Sequence, residues 1–113
     1  MPQSLDLTSK LERLEALEDR LGVSLSSLSA FLDKSGADTY FGHVRGEMSL
    51  NAGTTLEEDL KLQVAAYDRA DRIVGTACHW VGTEDFFALE TFDILFQVPV
   101  SDIARIRIYP KKP

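Results

Sequence analysis

Apolar and polar residues alternate through the first arm of the stretch at residues 60–81, and the rest of the chain is predicted to be organised around this stretch. In its first arm the even positions are all apolar, whereas Lys61, Gln63 and Tyr67 stand among the odd ones. A period of two places one row of apolar side chains on one face of a β-sheet. The acidic turn at residues 68–71 interrupts the pattern, and the second arm is rich in β-branched and aromatic residues. The stretch therefore predicts a β-hairpin.

The same alternation predicts further strands on both sides of the hairpin. One runs from Tyr40 to a turn at residues 51–53, another ends at Pro99, and the last covers residues 103–109. Proline ends a strand because it has no N–H to donate to the ladder. A short strand is also expected at residues 86–89. Short strands spaced by turns predict a mainly β fold, an immunoglobulin-like antiparallel β-sandwich without a disulfide.

The N-terminal part of the chain shows a different period, with leucines three or four residues apart as on one stripe of a helix. Ser9 and Glu12 resemble a capping box, and Gly22 stands where a helix C-cap is needed. Ser24 is a candidate N-cap for a second helical piece. These features predict an N-terminal α-helical segment, either a coiled coil or a helical hairpin.

This change of period divides the chain into a helical segment over residues 1–36 and a β-sandwich domain over residues 37–113. In heptad register seven of the eight a and d positions of the helical segment are leucines, and Glu18 is the exception. The leucines are predicted to join the chain to a second copy of itself or to a protein partner. The alternative is that they pack on the sheet of their own chain. The predicted interface consists of Leu7, Leu11, Leu14, Leu21, Leu25 and Leu28.

Composition narrows the class of protein. The chain has 113 residues and a net charge of −6, which argues against a general nucleic-acid binder because neutralising phosphates requires clustered Lys and Arg. Cys78 is the one cysteine, so no intramolecular disulfide can form. No apolar signal segment and no membrane span is visible, and the simplest expected location is the cytoplasm.

The second part of the chain contains three short motifs in order, Tyr67-Asp68, Ile73-Val74-Gly75 and Phe92. With these motifs the chain resembles the small FxLYD-type β-sandwich domains of bacteria and archaea. The resemblance covers residues 41–109. In that pattern a strand ending in Tyr-Asp turns back into a Val/Ile-rich strand, and a later strand carries a buried Phe. This chain departs from the pattern at the turn glycine, which is Asp71, and at the later Pro-Gly turn. The resemblance implies a fold and an accessory or interaction role, and it supplies no catalytic residue.

The most reactive-looking residues are Cys78 and His79. Neighbouring strand residues point to opposite faces, so the two are not expected to converge on one ion or to form a catalytic pair. His43 and His79 are a weak zinc signal, because they are far apart and no Cys-x-x-Cys accompanies them. Structural roles are the preferred interpretation for all three.

Acidic residues offer two further candidates. Asp68 and Asp71 are a possible calcium pair, but the longer ligand series of an EF-hand is missing, and they are interpreted as turn formers. Residues 57–59 and 84–85 supply adjacent carboxylates, which are interpreted as solvated loops because nothing indicates burial. The sequence therefore predicts no catalytic residue, no metal ligand and no cofactor.

Cations and aromatic residues in the second half of the chain complete the candidates. The C-terminal end carries four cations, Arg105, Arg107, Lys111 and Lys112. Their role is either to engage an acidic partner or to discourage edge-to-edge aggregation.

The predicted function is a non-enzymatic protein-interaction or structural module that oligomerises or docks through its leucines. The alternative is a small-ligand-binding or enzymatic domain with a site near three aromatic residues, Trp80, Phe86 and Phe87.

Overall fold

The computed structural model describes residues 4–34, 39–84, 86–99 and 101–113. These residues are mainly β-structure, with one short 3₁₀ helix (Thr8–Lys10) and one α-helix, α1 (Glu15–Leu21). The strands are β1 (Ser4–Asp6), β2 (Leu11–Arg13), β3 (Val23–Lys34), β4 (Tyr40–Leu50), β5 (Leu60–Tyr67), β6 (Ile73–Val81), β7 (Leu89–Val98) and β8 (Arg105–Lys111).

The strands form two four-stranded sheets. The first sheet has the order β1-β3-β4-β7 and the second sheet has the order β2-β8-β5-β6. Strand pairs are antiparallel except for β2 and β8, which are parallel. Because β1 and β2 belong to different sheets, the chain crosses from one sheet to the other through the 3₁₀ helix.

One hydrophobic core lies between the two sheets, and every long strand contributes a row of side chains to it. The first sheet supplies Val44 and Met48, for example, and the second supplies Leu62, Ile106 and Ile108, all fully buried. Burying one such side chain stabilises the fold by about 1.5–3 kcal/mol. The mainly β, two-sheet character expected from the alternation is confirmed.

The predicted central hairpin is confirmed as β5 and β6, which pair in antiparallel register. Its turn depends on Asp68, whose Oδ1 accepts hydrogen bonds from the backbone N–H groups of Ala70 (2.9 Å) and Arg72 (3.0 Å). Asp71 has a φ of +65°, a left-handed conformation that aspartate tolerates better than most residues. The turn thus forms without a glycine among residues 68–71.

The predicted N-terminal helical segment is wrong, because most of it forms strands. Residues expected to make a second helix lie in β3, where Val23 and Leu25 face the core before a bulge, and Ala30 and Leu32 face it afterwards. The bulge between residues 26 and 29 contains Ser27 at a φ of +54°. An inserted residue turns a spacing of two into one of three, which imitates the helical period.

The first predicted helix is reduced to the two turns of α1, which begins at Glu15 and not at Ser9. Ser9 lies in the 3₁₀ helix, and Ser24, the predicted second N-cap, lies inside β3. The predicted C-cap is confirmed: Gly22 has a φ of +73°, and its N–H donates to the carbonyl of Asp19 at 3.2 Å. No coiled coil is present among the described residues.

Glu18, the exception in the leucine register, is the buried anchor of α1. Its carboxylate is 2% exposed and accepts hydrogen bonds from the backbone N–H of Leu25 at 3.0 Å and from the guanidinium of Arg13. A buried carboxylate needs such partners to compensate for lost hydration. The helix is therefore fixed between β2 and β3.

The boundary predicted near Gly36 falls in residues 35–38, which lie outside the described residues. The strands on either side of it, β3 and β4, pair over almost their full length in the first sheet. Residues 4–34 thus supply strands to both sheets.

Candidate functional site

The outward side chains of the second sheet form a surface that is rich in cations and aromatic rings. They alternate with the buried side chains of the same strands, as the clean alternation of β8 predicted. We name this surface the basic face. Its members are Lys61, Gln63, Tyr67, Thr76, Cys78, Trp80, Arg105, Arg107, Tyr109 and Lys111.

One row of the basic face crosses three strands through Lys111, Lys61 and Trp80. Lys61 of β5 is the register partner of Lys111 on β8 and of Trp80 on β6. The Lys61 Nζ lies 5.6 Å from the centroid of the Trp80 ring, within cation–π range. Trp80 is 55% exposed. A large ring and two ammonium groups are therefore presented together to solvent.

A second cluster lies around Tyr67, whose ring is contacted by two guanidinium groups. The guanidinium carbons of Arg105 and Arg107 lie 4.5 Å and 5.3 Å from the ring centroid. Arg105 also pairs with Asp71, and the Nε of Arg107 donates to Glu12 at 3.1 Å. The hydrogen bond to Glu12 raises the pKa of Arg107 above its usual value, so this group stays charged. Ion pairs and the Tyr67 ring hold both guanidinium groups in place.

The two lysines of the basic face differ from the arginines in their surroundings. Neither Lys61 nor Lys111 forms an ion pair with the residues that the structure describes. Like charges directly opposite each other on paired strands are destabilising. An anion placed between the two ammonium groups would relieve this repulsion. The row is thus suited to carboxylates of a partner.

The fourth C-terminal cation, Lys112, does not join this row. Its Nζ lies 3.1 Å from the Glu58 carboxylate, in the loop before β5. Glu57, Glu58 and Glu84 are exposed, as the sequence interpretation expected, and Asp85 lies outside the described residues. Of the predicted C-terminal cations, the structure therefore brings together Arg105, Arg107 and Lys111.

The candidate nucleophile and metal residues are dispersed. Cys78 is exposed on the basic face, whereas His79 points to the other side of β6 and lies 3.1 Å from the Glu90 carboxylate. His43 lies in the first sheet, 3.2 Å from the Asp93 carboxylate. Across the described ranges, no group of three His, Cys, Asp or Glu side chains is arranged to hold a metal ion. The prediction that Cys78 and His79 point apart is confirmed.

The three aromatic residues of the alternative ligand site have different environments. Phe86 is buried in the core, Phe87 is 82% exposed, and Trp80 belongs to the basic face. A buried ring in the core has no surface to offer a ligand. Only Trp80 and Phe87 remain as contact groups.

Five of the six leucines of the predicted interface pack in or against the core of their own chain. Leu7 and Leu25 are buried members of the core, and three further leucines pack against it. Leu14 precedes α1 and is half-buried. The leucines partly packed against the core are Leu11, Leu21 and Leu28. This arrangement corresponds to the alternative of packing within one chain.

Comparisons with known proteins provide no family for this chain. No protein-family model matches it, and no curated protein is significantly similar to it. One solved structure, described as a β-galactosidase from Bacteroides fragilis, aligns with 81% of this chain at 11% identity and a TM-score of 0.38. The chain spans 16% of the length of that structure. A likeness at this level carries no argument about fold or function.

Within the described ranges, no α-helix has the length and apolar character required to cross a bilayer.

The composition of the basic face was only partly visible in the sequence. The alternation of β8 indicated that Arg105 and Arg107 share a face, and that of β5 placed Lys61 among the outward residues. Nothing in the sequence indicated that β5 and β8 are neighbours, which is what places Lys61 opposite Lys111. A search for charged outward positions on both strands would have found the candidates but not their pairing.

Proposed function

We propose that the chain is a non-enzymatic protein-interaction module that binds an acidic protein surface on its basic face. The observation that carries this proposal is the pair Lys61 and Lys111, two like charges placed opposite each other without an ion pair to the described residues. The chain has a net charge of −6, and four of its cations nevertheless lie together on one sheet face. A partner's carboxylates would neutralise the row and gain from its local field.

The side chains around the lysines support a protein partner in particular. Tyr, Trp and Arg are the residue types that most often dominate binding energy at protein interfaces. Trp80 and Tyr109 supply ring surface, while Arg105 and Arg107 are already oriented by their contacts with Tyr67. Side chains that are held in place before binding lose less conformational entropy when a partner arrives.

The finer fold assignment is part of the same proposal: an immunoglobulin-like sandwich of FxLYD type over residues 41–109. In constant-type immunoglobulin domains strands A, B and E are neighbours in one sheet, and C and F are neighbours in the other. In this chain β3, β4 and β7 are neighbours in one sheet, and β5 and β8 are neighbours in the other, which are the same neighbour relations in the same chain order. Support for the FxLYD type comes from Tyr67 and Asp68, which end β5 and form its turn, and from the buried Phe92.

We propose that the module is cytoplasmic and that its interface does not include the core leucines. An exposed free thiol at Cys78 suits a reducing compartment. Leu7 and Leu25 are interior residues, and exposing them would cost the burial energy that holds the two sheets together.

The proposal is tested by titrating the ¹⁵N-labelled protein with a short poly-glutamate peptide and recording backbone amide shifts. The largest shifts are expected on β5, β6 and β8, and they should weaken as salt screens the charges. The variant Lys61→Glu/Lys111→Glu should lose the binding. Its matched control, Arg20→Glu/Arg69→Glu, makes the same charge change at positions outside the row of Lys61 and Lys111 and should keep the binding.

Two results would contradict the proposal. One is a set of shifts centred outside the second sheet. The other is equal peptide binding by the Lys61→Glu/Lys111→Glu variant and by its control.

A further inference from the structure

The outer surface of the first sheet carries the opposite charge. Its outward side chains include four carboxylates and one guanidinium, whereas the basic face carries four cations and is bordered by Glu12. We name the first surface the acidic face. Its members are Asp6, Phe31, Asp33, Phe41, His43, Arg45, Glu47, Thr91, Asp93, Leu95 and Gln97.

The acidic face combines its charges with exposed apolar surface. Phe31, His43 and Leu95 form one row across three strands, and Leu95 is 52% exposed. Asp33 and Asp93 lie on either side of the His43 ring, at 3.7 Å and 3.2 Å from its two nitrogens. The face thus carries apolar side chains on either side of a histidine that two carboxylates contact, and such a mixture of apolar and charged groups occurs in protein-binding patches.

We propose that the partner of the basic face is the acidic face of a second copy of this chain, so that copies associate head to tail. The proposal rests on the function assigned above to the basic face. Carboxylates such as Glu47 of one copy would lie against Lys61 and Lys111 of the next. The rings of Trp80 and Tyr109 would then cover Phe31 and Leu95 of the acidic face.

Charge decides which pairing of faces is favourable. A symmetric contact between two basic faces would bring cations together, and one between two acidic faces would bring carboxylates together. Only the unlike pairing neutralises both surfaces. An unlike pairing is heterologous, and it produces a ring or an open row of copies rather than a closed two-fold dimer.

The chain is large enough to form a specific contact through one of its surfaces. The chain measures 45 × 28 × 22 Å along its principal axes. A standard protein interface removes about 800 Å² of accessible surface from each partner. The total accessible surface of the chain is 6581 Å², so such a contact would cover about an eighth of it.

The test uses two variants, each with one altered face. Lys61→Glu/Lys111→Glu alters the basic face and leaves the acidic face intact, and Asp33→Lys/Glu47→Lys does the reverse. Light scattering of the full chain should show a mass that rises with concentration for the wild type, while each variant alone stays monomeric. Mixed together, the two variants should associate again, because the intact acidic face of one binds the intact basic face of the other.

Controls keep the test specific. Arg20→Glu/Arg69→Glu should associate like the wild type, and salt of about 1 M, which shortens the screening length to about 3 Å, should reduce association about tenfold or more. Circular dichroism establishes whether each variant is folded. If the variant Lys61→Glu/Lys111→Glu does not fold, the milder variant Lys61→Gln/Lys111→Gln replaces it.

Two outcomes overturn the proposal. A wild type that is monomeric over the whole concentration range removes it, and so does an oligomer that both variants retain. Binding of the poly-glutamate peptide by a wild type that stays monomeric would leave the basic face as a binding site for an acidic foreign protein. Failure of both peptide binding and association would remove the function together with this inference.

Discussion

Lys61 and Lys111 lie directly opposite each other on β5 and β8, with like charges across a hydrogen-bonded ladder. The core between the sheets fixes both strands, so the two side chains cannot separate by a change of register. The arrangement costs stability in the isolated chain, and a partner that supplies carboxylates would recover it.

We therefore expect Lys111→Glu to stabilise the isolated chain while weakening its binding. An unlike pair opposite Lys61 should raise the free energy of unfolding by about 0.2–1 kcal/mol, measured by urea denaturation at low salt. Lys111→Gln, which removes the repulsion without adding an attraction, should give a smaller gain. A loss of stability in both variants would show that the lysines are favourably placed in the isolated chain.

A second prediction concerns the buried carboxylate of Glu18. Glu18→Ala leaves the guanidinium of Arg13 and the backbone N–H of Leu25 without their acceptor. The free energy of unfolding should fall by about 2–4 kcal/mol in urea denaturation. Glu15→Ala, an exposed change on the same helix, is the control and should cost less than about 0.5 kcal/mol. Equal effects of the two substitutions would contradict the anchoring role.

The turn of the central hairpin gives a prediction about pH. Hydrogen bonds from the backbone N–H groups of Arg72 and Ala70, with the charge of the Arg72 guanidinium, lower the pKa of Asp68 below 3.8. A carboxylate with a lowered folded-state pKa stabilises the fold above its unfolded-state pKa. This contribution is lost as the pH falls through the folded-state pKa.

Asp68→Asn should accordingly be less stable than the wild type at neutral pH and should lose less further stability on acidification. Thermal unfolding at several pH values from about 7 down to about 2 measures both effects. Glu84→Gln, an exposed change outside the turn, should follow the wild-type curve. Parallel curves for Asp68→Asn and the wild type would exclude a contribution from this turn.

A fourth prediction concerns the close contact between Gly42 and Phe96, which are register partners on β4 and β7. A Cβ atom added at Gly42 would lie 2.1 Å from the nearest atom of the Phe96 ring. Gly42→Ala should therefore lower the free energy of unfolding by about 1–3 kcal/mol through overpacking. Adding Phe96→Leu should recover part of the loss, because the smaller side chain makes room.

A double-mutant cycle in urea separates this contact from other effects of the two substitutions. Additive losses in the cycle would mean that Gly42 is required for a reason other than the ring of Phe96.

The sequence by itself determined the local structure wherever one period was uninterrupted. The strands β4, β5, β7 and β8 were recognised from their alternation, and Asp68 and Gly22 were identified from turn and cap chemistry alone, because these features depend on near neighbours in the chain. In β3 the local signal misled, since the bulge at Ser27 gave the leucines a helical spacing. An inserted residue of this kind is recognised only from the register of the strand with its paired strand.

The tertiary structure decided which surfaces exist. The pairing of β5 with β8 brings Lys61 to Lys111 across 49 intervening positions, and that of β4 with β7 brings Arg45 to Asp93. Strand order is set by how all the apolar rows share one core, a property of the whole chain. The sequence therefore determined which side chains point outward on each strand, and the fold decided which of them became neighbours.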